Sequence, residues 1–133
     1  MQHYLYVEDD QKSREIMRLM MERVVKDCTL TMLDSGIGFM ENLAQLATCP
    51  TMILLDIQMH PFDGFTLLAL LRADARYAAI PVVALTASVM NEEVEQLRCA
   101  GFSGVIAKPI SPHTFPKLLT QLQNGEAVWY ITD

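Results

Sequence analysis

Met52-Ile53-Leu54-Leu55-Asp56 is the stretch of this chain that dictates its architecture. Its four apolar residues show no alternation with polar ones. Such a run marks a strand buried on both faces, as in the parallel sheet of an α/β domain. The acidic residue that ends it then stands at the carboxyl edge of the sheet, where ligands of open α/β sheets gather. A turn-like stretch follows, Ile57-Gln58-Met59-His60-Pro61-Phe62-Asp63-Gly64. Asp is also a common turn and cap residue, so Asp56 takes its meaning from the other strand ends.

Three more short apolar runs end in polar groups. Tyr4-Leu5-Tyr6-Val7 leads into Glu8-Asp9-Asp10, Val82-Val83-Ala84-Leu85 into Thr86, and Val105-Ile106-Ala107 into Lys108. All should reach the same rim of one sheet. Clustered carboxylates raise one another's pKa unless a cation joins them. Hard oxygen donors suit Mg²⁺, which keeps several waters and often shares a phosphate. The lysine and threonine suit phosphoryl oxygens, one by charge and one by hydrogen bond.

Helix-like segments separate the runs. Ile16, Met20 and Val24, with Met17, Met21 and Val25 beside them, predict a helix over Lys12 to Lys26 with a broad apolar face. Thr29 to Leu33 reads as a second strand, and Phe39 to Ala47 as a second helix. Gly64 to Arg72 reads as a third helix. Asn91 is the expected cap of a fourth, with Glu92 and Glu93 near its positive end and Gly101 after its last turn. A last helix starts near Ser111-Pro112 or, because proline is tolerated only in a first turn and Pro116 follows, near Thr114 after a short irregular entry. Asn124-Gly125 stops it.

Alternating strands and helices imply a parallel sheet covered on both sides. Right-handed crossovers leave few arrangements of five parallel strands. The flavodoxin-like, doubly wound (βα)5 sandwich with strand order 2-1-3-4-5 puts strands 1 and 3 side by side. Glu8, Asp9 and Asp56 then converge where the winding reverses.

The chain has 133 residues, 51% of them hydrophobic, which is enough for one domain with a real core. A formal charge of −6 and the lack of a basic cluster argue against direct binding to nucleic acid or an anionic membrane. No apolar stretch is long enough to span a bilayer, and Met1-Gln2-His3-Tyr4 does not open a signal peptide. Cys28, Cys49 and Cys99 form no metal or redox spacing and read as incidental thiols of a cytoplasmic protein. Gly36-Ile37-Gly38 is no dinucleotide fingerprint, since Glu41 stands at the third glycine position. The nine methionines read as core filling.

Val7-Glu8-Asp9, Asp56, Asp63-Gly64, Leu85-Thr86-Ala87 and Lys108-Pro109, taken together, resemble the signature of bacterial two-component response-regulator receiver domains (CheY-like). The resemblance runs from about Tyr4 to Leu122. Spacings of 47, 30 and 22 residues between Asp9, Asp56, Thr86 and Lys108 agree with it, as does the basic Arg14. It implies a signalling switch in a phosphorelay. Asp56 would accept a phosphoryl group from a sensor histidine kinase or phosphotransfer protein. Glu8, Asp9, Asp56 and the backbone carbonyl of Gln58 would hold Mg²⁺. Lys108 and Thr86 would contact the phosphoryl oxygens. Self-phosphorylation and slow self-hydrolysis would serve an unknown downstream protein. A homodimer through the fourth helix, fifth strand and fifth helix stays open.

Some positions depart from the family pattern. Pro61 is displaced by one residue. Val105 stands where many relatives carry an aromatic ring, so a switch would need other contacts, such as Phe102 or the fourth helix. Gln58 and Ser88 flank the path of an attacking water, and neither is a strong acid or base. A dehalogenase-like phosphohydrolase needs an acid where Gln58 stands and is disfavoured. A pseudo-receiver, the same fold used only for protein interaction, is the alternative. Residues 1–124 form the expected receiver unit and 125–133 a tail. Its Val128-Trp129-Tyr130-Ile131 would pack on the last helix, extend the sheet edge or meet a partner.

Overall fold

β3 (Met52–Asp56) is buried at every residue, as the apolar run Met52 to Leu55 requires, and Asp56 at its end is buried with it. It lies between β1 (Gln2–Val7) and β4 (Val82–Thr86). β2 (Cys28–Leu33) flanks β1, and β5 (Gly104–Ala107) flanks β4. The computed structural model describes residues 2–87 and 90–130. Every strand pair is parallel, and the first five strands follow the expected order.

The expected five-stranded sheet is six-stranded. β6 (Val128–Tyr130) pairs with β5 in the register Gly104↔Val128 to Ile106↔Tyr130, giving the order β2-β1-β3-β4-β5-β6. Of the places open to the tail, it takes the sheet edge; Ile131 lies outside the described residues. The physical reason is that β5 would otherwise present unpaired backbone groups, and Val128 and Trp129 are good strand formers. Val128 and Trp129 of β6 grip both layers. Val128 is buried among the residues of one face, and Trp129 packs against the other. The Arg98 guanidinium lies 4.4 Å from the Trp129 ring centroid, a cation–π contact.

Gly104 makes this edge possible. A Cβ there would lie 2.6 Å from the Val128 carbonyl oxygen and 3.1 Å from Leu122 Cδ2. Gly104→Ala should therefore force β6 away and cost about 1–3 kcal/mol. Thermal unfolding measures this; an unchanged midpoint would show that β6 contributes nothing.

Side chains alternate across the sheet with period two. Leu5, Val7, Ile53, Leu55, Val82, Ala84 and Val105 face one core, which α2 (Phe39–Ala44), α3 (Gly64–Arg72) and α4 (Asn91–Ala100) cover. Tyr4, Tyr6, Met52, Leu54, Val83, Leu85 and Ile106 face the other, which α1 (Gln11–Met20) and α5 (Phe115–Gln123) cover. The layers bury the apolar stripes of the helices, with Met17 and Met20 of α1 and Leu118, Leu119 and Leu122 of α5 inward.

Helix ends differ from expectation in three places, while the start of the last helix agrees with it. α1 stops at Met20 and continues as a π-helical turn, Met21–Val25, closed by Lys26 N–H donating to Met21 O at 2.8 Å. Lys26 and Asp27, both at positive φ, end it. α2 ends at Ala44, before Ala47. Asn91 is the first helical residue of α4 and not its cap; the extended Met90 holds that place. α5 begins after Thr114, with Pro116 in its first turn as proline chemistry demands. No described helix is long and apolar enough to cross a membrane.

Candidate functional site

The carboxyl ends of β1 and β3 are neighbours because the chain winds outward in both directions from them. Glu8 and Asp9 follow β1, and Asp56 is the last residue of β3. One ligand atom from each of these three carboxylates lies within 4.8 Å of the others. Thr86, the last residue of β4, is buried, and Lys108 follows β5. Sequence reasoning named these five side chains, and the fold brings their strand ends to one rim.

Lys108 closes the cup. Its Nζ donates to Glu8 Oε1 at 2.7 Å and to Asp56 Oδ1 at 3.1 Å. Glu8 is 1% and Asp56 6% exposed, so this is a buried pair of carboxylates sharing one cation. Burial, and the contact with Glu8, push the Asp56 carboxyl up to about 7 against the pull of Lys108. Burial also pushes Glu8 upward, but its contacts with Asp56, Lys108 and Tyr6 outweigh it and leave Glu8 low. Lys108 resists burial in the same way and is raised by its two anionic partners. Two carboxylates facing one ammonium thus differ in acidity, with Asp56 raised and Glu8 lowered.

Neighbouring residues fix the backbone of the cup. Asp10 caps α1, accepting from Ser13 N at 2.9 Å and Ser13 Oγ at 2.8 Å, which is the loop role expected for it. Asp63 caps α3 in the same manner through Thr66 N at 2.9 Å. Arg14 Nη1 donates to the Glu8 carbonyl at 2.7 Å. A Cβ on Gly64 would lie 2.7 Å from Ile57 Cδ1 and 3.0 Å from the Asp56 carbonyl, so only glycine lets α3 start this close to the acidic strand end.

The loop with the displaced proline returns without disturbing this start. Gly64 N–H reaches Ile57 O at 3.1 Å, and Met59 is buried while His60 and Gln58 are exposed. The His60-Pro61 and Lys108-Pro109 peptide bonds are both cis.

Gln58 and Thr86 line a cleft of about 190 Å³ with Phe65 and three residues of α4. Val105 is fully buried in the core that includes Phe102 and Leu97, and the Phe65 and Phe102 rings meet edge to face at 5.9 Å. Ser88 lies outside the described residues.

Tyr6 was missed as a site residue. Its hydroxyl donates to Glu8 Oε1 at 2.9 Å from full burial. The signal was present: residues i and i+2 along a strand share a face.

The donor set suits a small hard cation. Octahedral Mg²⁺ with bonds near 2.1 Å separates its ligands by roughly 3–4 Å, and the three carboxylates, within 4.8 Å of one another, would draw in to hold it.

Comparison with known proteins agrees with this arrangement. The response regulator receiver domain model matches residues 4–120. Over 122 residues the chain is 30% identical to the signal transduction histidine-protein kinase BarA of Escherichia coli K12, covering 92% of this chain and 13% of that one. It is 31% identical over 127 residues to response regulator Rre1 of Synechocystis, covering 89% of this chain and half of that protein. The chain therefore spans only part of these relatives. Among solved structures, chemotaxis protein CheY4 of Vibrio cholerae shares the fold, with a TM-score of 0.80 at 21% identity over 91% of this chain and 98% of that one. With the family model spanning most of its length and its strand ends meeting in one acidic cup, the chain belongs to the response regulator receiver domains.

Proposed function

We propose that the chain is a phosphorylation-dependent switch of a two-component phosphorelay, with Asp56 as the acceptor. The observation that carries this reading is the acidic cup itself: Glu8, Asp9 and Asp56 within 4.8 Å of one another, closed by Lys108. Glu8, Asp9, Asp56 and the Gln58 carbonyl would hold Mg²⁺. When bound, that ion would neutralise charge between the carboxylates and an incoming phosphoryl group.

The Asp56 carboxylate is the nucleophile. One of its oxygens attacks phosphorus, and the bond from phosphorus to the donor imidazole nitrogen breaks. The electron pair leaves with the imidazole, which takes up a proton. Lys108, released from Asp56 Oδ1, follows the phosphoryl oxygens, and Thr86 donates its hydroxyl to another. Positioning and charge neutralisation suffice for such a transfer. The donor would be a sensor histidine kinase or a phosphotransfer protein.

The signal is a population shift toward the arrangement in which Lys108 and Thr86 both meet the phosphoryl group. Val105 has no ring to swing. The movement would instead pass through the cleft beside Thr86 to α4 and the Phe65–Phe102 contact.

The test is incubation with a small phosphodonor and with beryllofluoride, each with and without Mg²⁺. Mg²⁺-dependent labelling of the peptide containing Asp56 is expected; beryllofluoride that fails to bind would favour a pure interaction module. At limiting Mg²⁺ the reaction should also quicken as pH rises toward about 7, because the metal-free Asp56 carboxyl must lose its proton to bind the cation; saturating Mg²⁺ should move that window to lower pH. A rate at limiting Mg²⁺ that is independent of pH between 6 and 8 would contradict that ordering.

A further inference from the structure

We propose that Tyr6 is a positioning residue for the cation site: its hydroxyl holds the Glu8 side chain so that the second carboxylate oxygen faces the cup. This rests on the reading of the cup as a Mg²⁺ site. Glu8 carries one methylene more than an aspartate and has one more torsion to fix. Unless something holds it, its carboxylate has a wider range of positions than that of Asp9 or Asp56.

The structure shows what holds it. Glu8 Oε1 accepts from Tyr6 Oη at 2.9 Å and from Lys108 Nζ at 2.7 Å, which uses both of its acceptor directions. Among the described residues, the one hydrogen bond to Glu8 Oε2 is a long one from Asp10 N–H at 3.4 Å, near the limit for such a bond. Oε2 is thus the oxygen with capacity for a cation. Arg14 anchors the Glu8 carbonyl at 2.7 Å, so the backbone end of the side chain is fixed as well.

Tyr6 and Lys108 are not equivalent in this role. Lys108 also holds Asp56, at 3.1 Å, and leaves when a phosphoryl group arrives there. Tyr6 is 1% exposed, its ring is packed in the core beneath α1 and α5, and it stays where it is. It is the hold on Glu8 Oε1 that survives the movement of the lysine. Groups that orient metal ligands from behind typically change metal affinity by about 10- to 100-fold when removed.

The test is Mg²⁺ binding by calorimetry to the wild type, Tyr6→Phe, Glu8→Asp and the double variant. Tyr6→Phe keeps the ring and removes one oxygen, and circular dichroism checks that the fold is kept. It should weaken Mg²⁺ binding about tenfold. In the Glu8→Asp background the shorter carboxylate cannot reach the phenol, so Tyr6→Phe should cost nothing further. A merely structural tyrosine would cost the same in both backgrounds, and that result, or unaltered affinity of Tyr6→Phe, overturns the proposal while leaving the Mg²⁺ site intact. A wild type that does not bind Mg²⁺ overturns both. As an independent readout, 3-fluorotyrosine at position 6 should change its ¹⁹F shift when Mg²⁺ is added; an unmoved resonance counts against the role.

Discussion

Asp56→Asn is expected to reduce labelling by a small phosphodonor to background, while making the protein more stable in the absence of divalent ions. The first effect follows from loss of the nucleophilic carboxylate; the amide that replaces it has no oxyanion to attack phosphorus. The second follows from linkage. The folded state raises the Asp56 carboxyl to about 7 from the ordinary 3.8, mainly through burial. Between those values the folded chain binds more protons than the unfolded one, so stability falls as pH rises through the window. Below about pH 4 both states are protonated and no penalty exists; above about 7 it is complete.

Asn carries no charge and escapes the penalty. Glu8, held low by the same contacts, offsets part of it. The net gain from Asp56→Asn should be about 2 kcal/mol at pH 8 in chelator, shrinking toward pH 5. Thermal unfolding across pH reads the second effect, and mass spectrometry of the phosphodonor reaction reads the first. Labelling that persists would move the acceptor elsewhere. A variant less stable than wild type at pH 8 would mean that Lys108 fully neutralises the pair.

Lys108→Ala is expected to act in the opposite direction on stability. It removes the only ammonium that contacts both carboxylates among the described residues, leaving Glu8 and Asp56 facing each other under burial. Removing one member of a buried ion pair costs about 3–5 kcal/mol in general. Here Tyr6 still donates to Glu8, and Asp56 can take up a proton, so about 2–3 kcal/mol is expected at pH 8, less at pH 6. Mg²⁺ should restore most of the loss, because a divalent ion neutralises the same two charges. Phosphodonor labelling should persist at a reduced rate, with the response of α4 lost, as hydrogen exchange would show. If Lys108→Ala unfolds no more easily than wild type in chelator, the pair is not held as the distances imply. If α4 still responds, the lysine does not carry the signal.

Most of the site could be read from the chain because each of its side chains ends an apolar run. β3 is apolar at every position before Asp56, so its end is sharply marked. The same applies to Thr86 after β4 and Lys108 after β5. Handedness rules that apply to any parallel sheet narrowed the strand order to a few, of which the flavodoxin-like one brings Glu8, Asp9 and Asp56 together.

What stayed hidden is set by tertiary context. Three residues, Val128–Tyr130, are too few to show a period, and only the open edge of β5 makes them a strand. Asn91 has cap chemistry, yet the helix starts at Asn91 itself, since apolar periodicity locates a helix without fixing its terminal residue. The π-helical turn at Met21–Val25 leaves the inward methionines in place and so leaves no mark on the pattern. The Tyr6–Glu8 bond needed only the alternation rule, but a tyrosine in an apolar run is ordinarily taken as core.

β6 also changes what the molecule offers to its neighbours. The backbone donors and acceptors along the outer side of β5 are spent within the chain, with the Arg98–Trp129 clasp bracing α4 against the added strand. No foreign polypeptide can zip onto β5 from that side without first prying Val128–Tyr130 loose. Any partner reading α4 therefore meets an indole and a guanidinium beside it, so a message sent through that helix reaches a fence built from β6 of the same chain.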